Sequence, residues 1–582
     1  MVGRIKNTVG RLLFFPLFLL SLAGLTPQTA RAATAPQLDI VKPAVECATL
    51  RSLDLTEIGG KGSLITSAQV ATVNNSQWCQ IEGTLAPEIG FKLLLPTENW
   101  SRRYMQLGCG GLCGQINLQA GAAAGCAPLQ DNAFALASSD MGHSAQEDDF
   151  GKDRQKRSDF AWRGVHLTAV AAKKLIAAYY HQPAAWSYFN GCSDGGREAL
   201  MEAQRFPLDF NGIIAGAAAM NFQAQNALYH AWQVISNRGP DGKALITAAQ
   251  LPMIHQAVLT QCDMLDGQQD GLIADPQSCQ PDFSPLRCDN NRQNADGQCL
   301  TDAQLTALHK LYDGPREAKS GKKLIVAGPQ YGSELAWEGV FIPRQADGAV
   351  LSQSISLSSL RYMNFTPNPS ADFTLQDLKF DQATFARLSK LHALYDATNP
   401  DLRAFAEAGG KLIIWHGWAD PHISPLNSIA YHQALGQEMG ETQRQRFERL
   451  YLLPGVYHCS GGEGPSLVDF LTPMMNWVEQ GTAPDGITAW QASPRQHNSF
   501  GQPTSAAGKP AKMPAKPQEM RVETIPAHTA SRPVYPYPEY AVYSGSGEVD
   551  RASSYVRRAL PTIHNHYAWL GEDFYHPYAF MK

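Results

Sequence analysis

Apolar positions along this chain follow two alternating patterns. Short unbroken runs bounded by glycine, proline or charged residues read as strands buried on both faces. They cover residues 103–107, residues 134–139 (Phe-Ala-Leu-Ala-Ser-Ser), the aromatic run from Trp186 to Gly191, and residues 210–216. Between the second and third, Leu167, Val170, Ala171, Leu175 and Ala178 recur at helical spacing, which predicts one amphipathic helix over 159–181. Upstream, residues 33–100 read as short strands and turns, the clearest being 91–96, stopped by Pro96. Strand and helix in alternation predict an α/β fold with a mostly parallel sheet covered by helices on both faces.

The rhythm breaks after residue 216. Up to about residue 400 long apolar runs are few, Asp, Asn and Gln are frequent and four cysteines appear, so residues 217–400 read as an inserted lid domain. It resumes with a helix near 401–408, a strand over 411–415, the loop His416-Gly417-Trp418-Ala419-Asp420-Pro421, a strand over 449–453 and the loop Pro454-Gly455-Val456-Tyr457-His458-Cys459. A closing helix is predicted over 467–479, and the Pro-, Lys- and Ala-rich stretch 502–518 reads as a solvated linker. The core thus divides into 33–216 and 401–555, followed by a C-terminal extension, 556–582. No internal repeat is present.

At 582 residues, 44% hydrophobic and 17% charged, the chain is globular and longer than one typical core. Arg4, Lys6 and Arg11 precede an apolar run from Leu12 to Leu25 and an Ala30-Arg31-Ala32 cleavage motif, so residues 1–32 read as a secretory signal peptide. That run is short for a membrane span of about 20 residues, and a secreted or periplasmic location with no membrane contact after cleavage is expected. The segment carries four positive charges and no acid, so the net charge of −5 becomes −9, which disfavours nucleic acid as a partner. Eleven cysteines in an exported chain imply a disulfide framework with at least one left over, and the sequence alone does not fix the pairing. It is also silent on oligomeric state.

The candidate chemistry sits at Gly191-Cys192-Ser193-Asp194-Gly195, a G-x-S-x-G turn between a strand and a helix, the setting of a nucleophile elbow with Ser193 at its apex. Its glycines remove Cβ clashes where the strand turns sharply into the helix. The loop Gly108-Cys109-Gly110-Gly111-Leu112-Cys113-Gly114 follows a strand and offers backbone N–H groups for an oxyanion hole; the expected donors are the amides of Gly110 and Asp194. The same loop without chemistry would be a tight turn. In an α/β-hydrolase the triad runs serine, acid, histidine along the chain, and Asp420 and His458 occupy the two later places. His416 and His422 flank the acid and are weaker alternatives for the base.

Cys192-Ser193, Asp420 and His458-Cys459 together resemble the tannase and feruloyl esterase family, as do the 108–114 loop, Asp140-Met141-Gly142-His143 and the His-Gly-Trp-Ala-Asp loop. The resemblance covers about residues 41–555. It implies an α/β-hydrolase core with a large lid, a disulfide Cys192–Cys459 beside the catalytic pair, and the further pairs Cys47–Cys79, Cys262–Cys279 and Cys288–Cys299; two of Cys109, Cys113 and Cys126 then remain to bond. It also implies a structural calcium, for which Asp263, Asp266 and Asp270, with the carbonyls of Gln268 and Leu272, supply hard oxygen donors around a glycine turn. One departure is the absence of any cysteine after Cys459, near Arg532-Pro533, where the family carries a late pair. The implied activity is hydrolysis of small esters of aromatic acids, feruloyl or galloyl; a terephthalate monoester hydrolase and a non-catalytic binding module are the alternatives. Arg361, Tyr362, Phe365 and Phe373 read equally as pocket or as lid core.

Overall fold

The computed structural model describes residues 34–289, 297–492, 518–527, 529–560 and 569–575, with residues 1, 3, 500 and 502. Nearly all of the expected signal segment, most of the 502–518 stretch, and residues 561–568 and 576–582 of the C-terminal extension lie outside the described residues. Among the described residues no helix is long and apolar enough to cross a membrane.

Ten strands in chain order frame the site: β1 (Leu64–Val73), β2 (Ser76–Leu85), β3 (Ile89–Pro96), β4 (Arg103–Leu107), β5 (Asn117–Ala120), β6 (Phe134–Ser139), β7 (Trp186–Cys192), β8 (Gly212–Gly216), β9 (Lys411–Gly417) and β10 (Glu448–Leu453). All but β5 form one sheet in the order β1-β2-β3-β6-β4-β7-β8-β9-β10. The strands from β6 to β10 run parallel, and β1, β2 and β3 add an antiparallel wing. Side chains along the parallel strands alternate between two cores. Phe189, Ile213, Leu412 and Ile414 face one, with the helix Gly164–Tyr180, whereas Tyr188, Ile214, Ile413 and Trp415 face the other, with the helix Leu471–Gln480. Burial on both faces is why these strands appear in the sequence as unbroken apolar runs.

Four readings change. The N-terminal wing is built of strands eight to ten residues long rather than short ones. β1 and β2 bury only part of each face, so polar residues interrupt their pattern. Residues 159–163 form a π-helical turn ahead of the helix Gly164–Tyr180. Leu467–Val468 is a short strand paired with Ile487–Trp490, and the closing helix starts only at Leu471. Finally, the described part of the expected 556–582 extension is tied to the rest of the fold: Tyr555–Ala559 is a strand paired with Glu539–Tyr543, and Trp569, Phe574 and Tyr575 join the main core.

The segment between β8 and β9 carries its own apolar cluster, in which the helices Leu251–Cys262 and Asp302–Asp313 pack with Trp337 and Phe341. Phe365 and Phe373 pack against the main core, and the carbonyls of Tyr362 and Phe365 accept hydrogen bonds from Arg157. Five disulfides are present: Cys47–Cys79, Cys109–Cys113, Cys192–Cys459, Cys262–Cys279 and Cys288–Cys299. Cys126 is buried and unpaired, its thiol pushed up to about 12 chiefly by burial. Where the late cysteine pair is missing, the strand Ser531–Val534 pairs with Ile487–Trp490, and Arg532 forms ion pairs with Asp266 and Asp270.

Candidate active site

β7 delivers its chain to Ser193, which caps the helix Asp194–Arg205 with φ 65° and ψ −119°, a conformation L-residues avoid. The flanking glycines permit this sharp turn. A Cβ on Gly191 would lie 2.3 Å from the Gly195 carbonyl oxygen, and one on Gly195 would lie 2.9 Å from that of Cys109. The turn leaves Ser193 half-buried at the carboxyl end of the sheet, where the loops after β4, β9 and β10 also converge.

Those loops bring the three expected residues together. The Ser193 hydroxyl donates to His458 Nε2 at 2.8 Å, and His458 Nδ1–H donates to Asp420 Oδ2 at 2.7 Å. Asp420 is fully buried and accepts further hydrogen bonds from the amides of His422 (2.8 Å) and Ile423 (3.1 Å) at Oδ1. Burial alone would raise its pKa. The His458 and His416 imidazoles outweigh that and hold the carboxyl well below the usual carboxylate range. His416 is therefore a second partner of the acid, not the base: its Nε2 faces Asp420 Oδ2 and the Ile423 carbonyl, both at 3.1 Å, so Nε2 carries the proton and Nδ1 accepts from Ser428 Oγ at 2.8 Å. His422 lies beside the His458 ring at 4.8 Å and donates to the Phe500 carbonyl; burial, then the neighbouring His458, lowers its pKa to about 4.

Cys192 and Cys459, each adjacent to one member of this relay, are joined with their Cα atoms 5.9 Å apart. The 108–114 loop lies on the helix N-terminus. A Cβ on Gly108 would come within 2.7 Å of Gly195 Cα, whereas around Gly110 the space is open. Residues 140–143 support that loop from behind, since the Gly114 amide donates to the Asp140 carbonyl and His143 Nε2 bonds the Leu112 carbonyl at 2.7 Å. The inserted segment reaches the acid loop. Tyr229 donates to the Pro421 carbonyl, Gln225 to that of His422, and Ala336 packs on Ala419 and Tyr457.

The acidic turn adopts a compact form: Asp263 accepts from the amides of Asp270 and Gly271, Asp266 from that of Gln268, and Asp270 from that of Leu272. Asp266 Oδ2 is buried without a hydrogen bond, 3.5 Å from Arg532 Nη1. Asp266 and Asp270 face the Arg532 guanidinium while Asp263 is taken up by backbone amides, so this half-exposed turn offers hard oxygen donors, but its three carboxylates do not converge within 4.8 Å of one another. Although remote in sequence, the turn touches the histidine loop, because a Cβ on Gly455 would lie 2.5 Å from the Leu272 side chain.

Sequence reasoning missed the roles of Glu198, Arg197, His416 and Arg532, whose partners are remote in sequence or one turn along a helix. A cavity of about 1090 Å³ is lined by Pro36, Arg103, Asp469 and Trp490 among others and by none of the relay residues; Arg103 starts β4, so this cavity lies at the opposite end of the sheet.

Residues 70–558 match the tannase and feruloyl esterase family. The chain is 31% identical to the mono(2-hydroxyethyl) terephthalate hydrolase of Piscinibacter sakaiensis, over 83% of this chain and 85% of that protein. It is also 31% identical to a probable feruloyl esterase B-2 of Aspergillus flavus, over 70% of this chain and 78% of that one. The fold matches crystalline feruloyl esterase B from Aspergillus oryzae with a TM-score of 0.71 at 23% identity, covering 88% of this chain and all of that one. It matches the tannin acyl hydrolase of Aspergillus niger with a TM-score of 0.66 at 18% identity, covering 93% and 98%. An elbow serine joined to a histidine and a buried aspartate, on this fold and with these relatives, places the chain in the tannase and feruloyl esterase family of carboxylic ester hydrolases.

Proposed function

We propose that the protein is an exported serine esterase that cleaves esters of aromatic acids through an acyl-enzyme, with Ser193, His458 and Asp420 as its triad. The observation that carries this reading is the relay of 2.8 and 2.7 Å hydrogen bonds ending on an aspartate held ionised. His458 Nε2 takes the Ser193 proton as Oγ bonds to the ester carbonyl carbon, and Asp420 stabilises the imidazolium. The amides of Asp194 and Gly110 receive the oxyanion. As the tetrahedral intermediate collapses, the carbon–oxygen bond to the alcohol breaks and His458 protonates the leaving oxygen. Water, deprotonated by the same imidazole, then attacks the acyl carbon, releasing the aromatic acid and restoring the Ser193 hydroxyl.

Hydroxycinnamic or gallic esters are the favoured substrates, because feruloyl esterases recur among the relatives and tannin acyl hydrolase shares the fold. A terephthalate monoester is the second reading, favoured by the Piscinibacter sakaiensis relative aligned over 83% of this chain. Turnover of methyl ferulate, methyl gallate and an aryl terephthalate monoester by wild type and by Ser193→Ala decides both points. Ser193→Ala should lose several decades of activity on whichever ester is cleaved while remaining folded; activity within about tenfold of wild type refutes the triad.

Export through the residue 1–32 segment is supported by the five disulfides, which suit an oxidising compartment. Calcium held by Asp263, Asp266, Asp270 and the carbonyls of Gln268 and Leu272 is supported by the donor chemistry of the acidic turn. Bound there, it would neutralise the turn and fix its shape.

A further inference from the structure

The elbow helix carries a buried acid that the reaction does not consume. Glu198 lies one turn after Asp194, on a helix whose first eleven residues are all buried, and is itself 2% exposed. Among the described residues no arginine or lysine forms an ion pair with it. The nearby Arg197 guanidinium is committed to both oxygens of Asp194, at 2.7 and 2.9 Å, and to the Phe160 and Ala161 carbonyls. Glu198 instead lies beside the Asp194 carboxylate, oxygen atoms of the two within 4.8 Å, and its Oε1 accepts the Cys109 amide at 3.3 Å. Burial, then the Asp194 charge, raises its pKa well above the usual carboxylate range, which favours the protonated form, whose O–H has the Asp194 carboxylate beside it while Oε1 accepts from Cys109.

This chain of contacts has two ends of consequence. One is Asp194, whose amide immediately follows the nucleophile; the other is Cys109, which immediately precedes Gly110. Both Cys109 and Cys113 sulfurs pack on the same carboxyl, at 2.8 and 3.4 Å from Oε1, and the disulfide between them closes the loop over only four residues. Because the Cys109 N–H is turned inward to Glu198, it is withdrawn from the substrate side. The next amide along the chain is that of Gly110, where a Cβ would meet nothing within 4 Å, so the space beside it is open.

Resting on the triad and oxyanion roles proposed above, we infer that Glu198 and the Cys109–Cys113 disulfide are positioning elements of the oxyanion hole, coupling its elbow half at Asp194 to its loop half at Gly110 through one buried Arg197–Asp194–Glu198–Cys109 network. They touch neither substrate nor reacting atoms. Their effect is on how well two amides converge on a tetrahedral oxygen, so they act on the transition state and not on ground-state binding.

The test uses p-nitrophenyl acetate as reporter ester and phenylboronic acid, which forms a tetrahedral adduct on an activated serine, as transition-state probe. Glu198→Ala should lower kcat about 10- to 100-fold, below the 10²–10³-fold loss typical when a donor is removed outright. Its phenylboronic acid Ki should rise by a similar factor with little change in KM. Glu198→Gln should regain at least about tenfold over Glu198→Ala, because a primary amide also donates to Asp194 and accepts from Cys109. A folded Glu198→Ala within about threefold of wild type in kcat overturns the inference, as does a Glu198→Gln no better than Glu198→Ala; either threshold lies far below the loss expected for a displaced oxyanion donor. If Glu198→Ala does not fold, the Cys109→Ser, Cys113→Ser double variant decides: a raised boronate Ki with KM preserved supports the coupling, and an unchanged Ki overturns it. Ser193→Ala run alongside separates the two levels, since activity surviving in that variant defeats the triad itself, whereas its loss beside a near-wild-type Glu198→Ala defeats only the positioning role.

Discussion

Asp420 is the residue on which the site's electrostatics converge, because four donors point at one buried carboxylate: His458 and His416 at Oδ2, and the amides of His422 and Ile423 at Oδ1. The second imidazole lets Asp420 hold His458 without itself rotating. His416→Ala should therefore lower kcat about tenfold, far short of the ~10⁴ lost when a triad acid can no longer set the histidine tautomer. Steady-state kinetics on a cleaved ester checks this, and an unchanged kcat in folded protein removes His416 from the mechanism. His422 makes a separate prediction about pH. Its folded pKa of about 4 lies below its ordinary 6.5, so between these values the unfolded chain binds the extra proton, and the stabilising effect of the neutral ring is lost as pH falls through that window. The loss is at most about 3 kcal/mol by pH 4. His422→Gln, which keeps a donor for the Phe500 carbonyl, should show a smaller drop in melting temperature than wild type between pH 6.5 and 4. Parallel curves would contradict it. At this scale the nucleophile was legible because a strand-to-helix turn must be written in adjacent small residues, and the acid and base because they follow strands in the required order. The assignment of His416 was not legible. Three histidines near one aspartate look alike until the fold fixes which ring faces Ser193.

Strands β4 and β6 occur at the residues their apolar runs predict, because burial on both faces leaves no other pattern. The strand at Leu467 was hidden inside a helical-looking run, since its partner, Ile487–Trp490, lies beyond the following helix. The element that matters most for chemistry is the link between β7 and the loop after β10. Cys192–Cys459 ties them across a sequence separation of 267, so its chain-entropy contribution lies toward the upper end of about 2–4 kcal/mol. Cys459 itself has φ 64°, and the bond holds that turn beside the elbow. Since a displacement of about 1 Å can cost roughly a hundredfold in rate, Cys192→Ala, Cys459→Ala should lose at least tenfold in kcat at temperatures where it remains folded, as well as melting lower. Full turnover in that folded variant would show that packing alone aligns Ser193 with His458.

Over the whole molecule, the inserted segment is joined to the core at places that bear on the site. One is the acid loop, through Tyr229 and Gln225. Another is the acidic turn, where Arg532, on a strand late in the chain, pairs with Asp266 and Asp270, and where Leu272 packs against Gly455, three residues before His458. This clamp takes the position along the chain where relatives were expected to place a disulfide, and no reading of residues 263–272 alone could find its partner at 532. Arg532 pairs with Asp266 and Asp270 but not with Asp263, and a calcium bound by the folded turn should stabilise it by mass action, by about 2.7 kcal/mol at a hundred times its Kd. Protein purified without chelator should carry one calcium per chain by metal analysis, and EGTA should lower the melting temperature by a few degrees, restored by added calcium. Because Leu272 abuts the histidine loop, EGTA should also reduce kcat well below the melting temperature and slow the reaction of Ser193 with a phosphonate in parallel. A chain that binds no calcium would leave Arg532 as the sole counter-ion of the turn, and Arg532→Ala would then be severely destabilising whether or not calcium is added. If calcium is bound, adding it should recover part of the stability lost in Arg532→Ala, and thermal melts of that one variant with and without the ion distinguish the two arrangements.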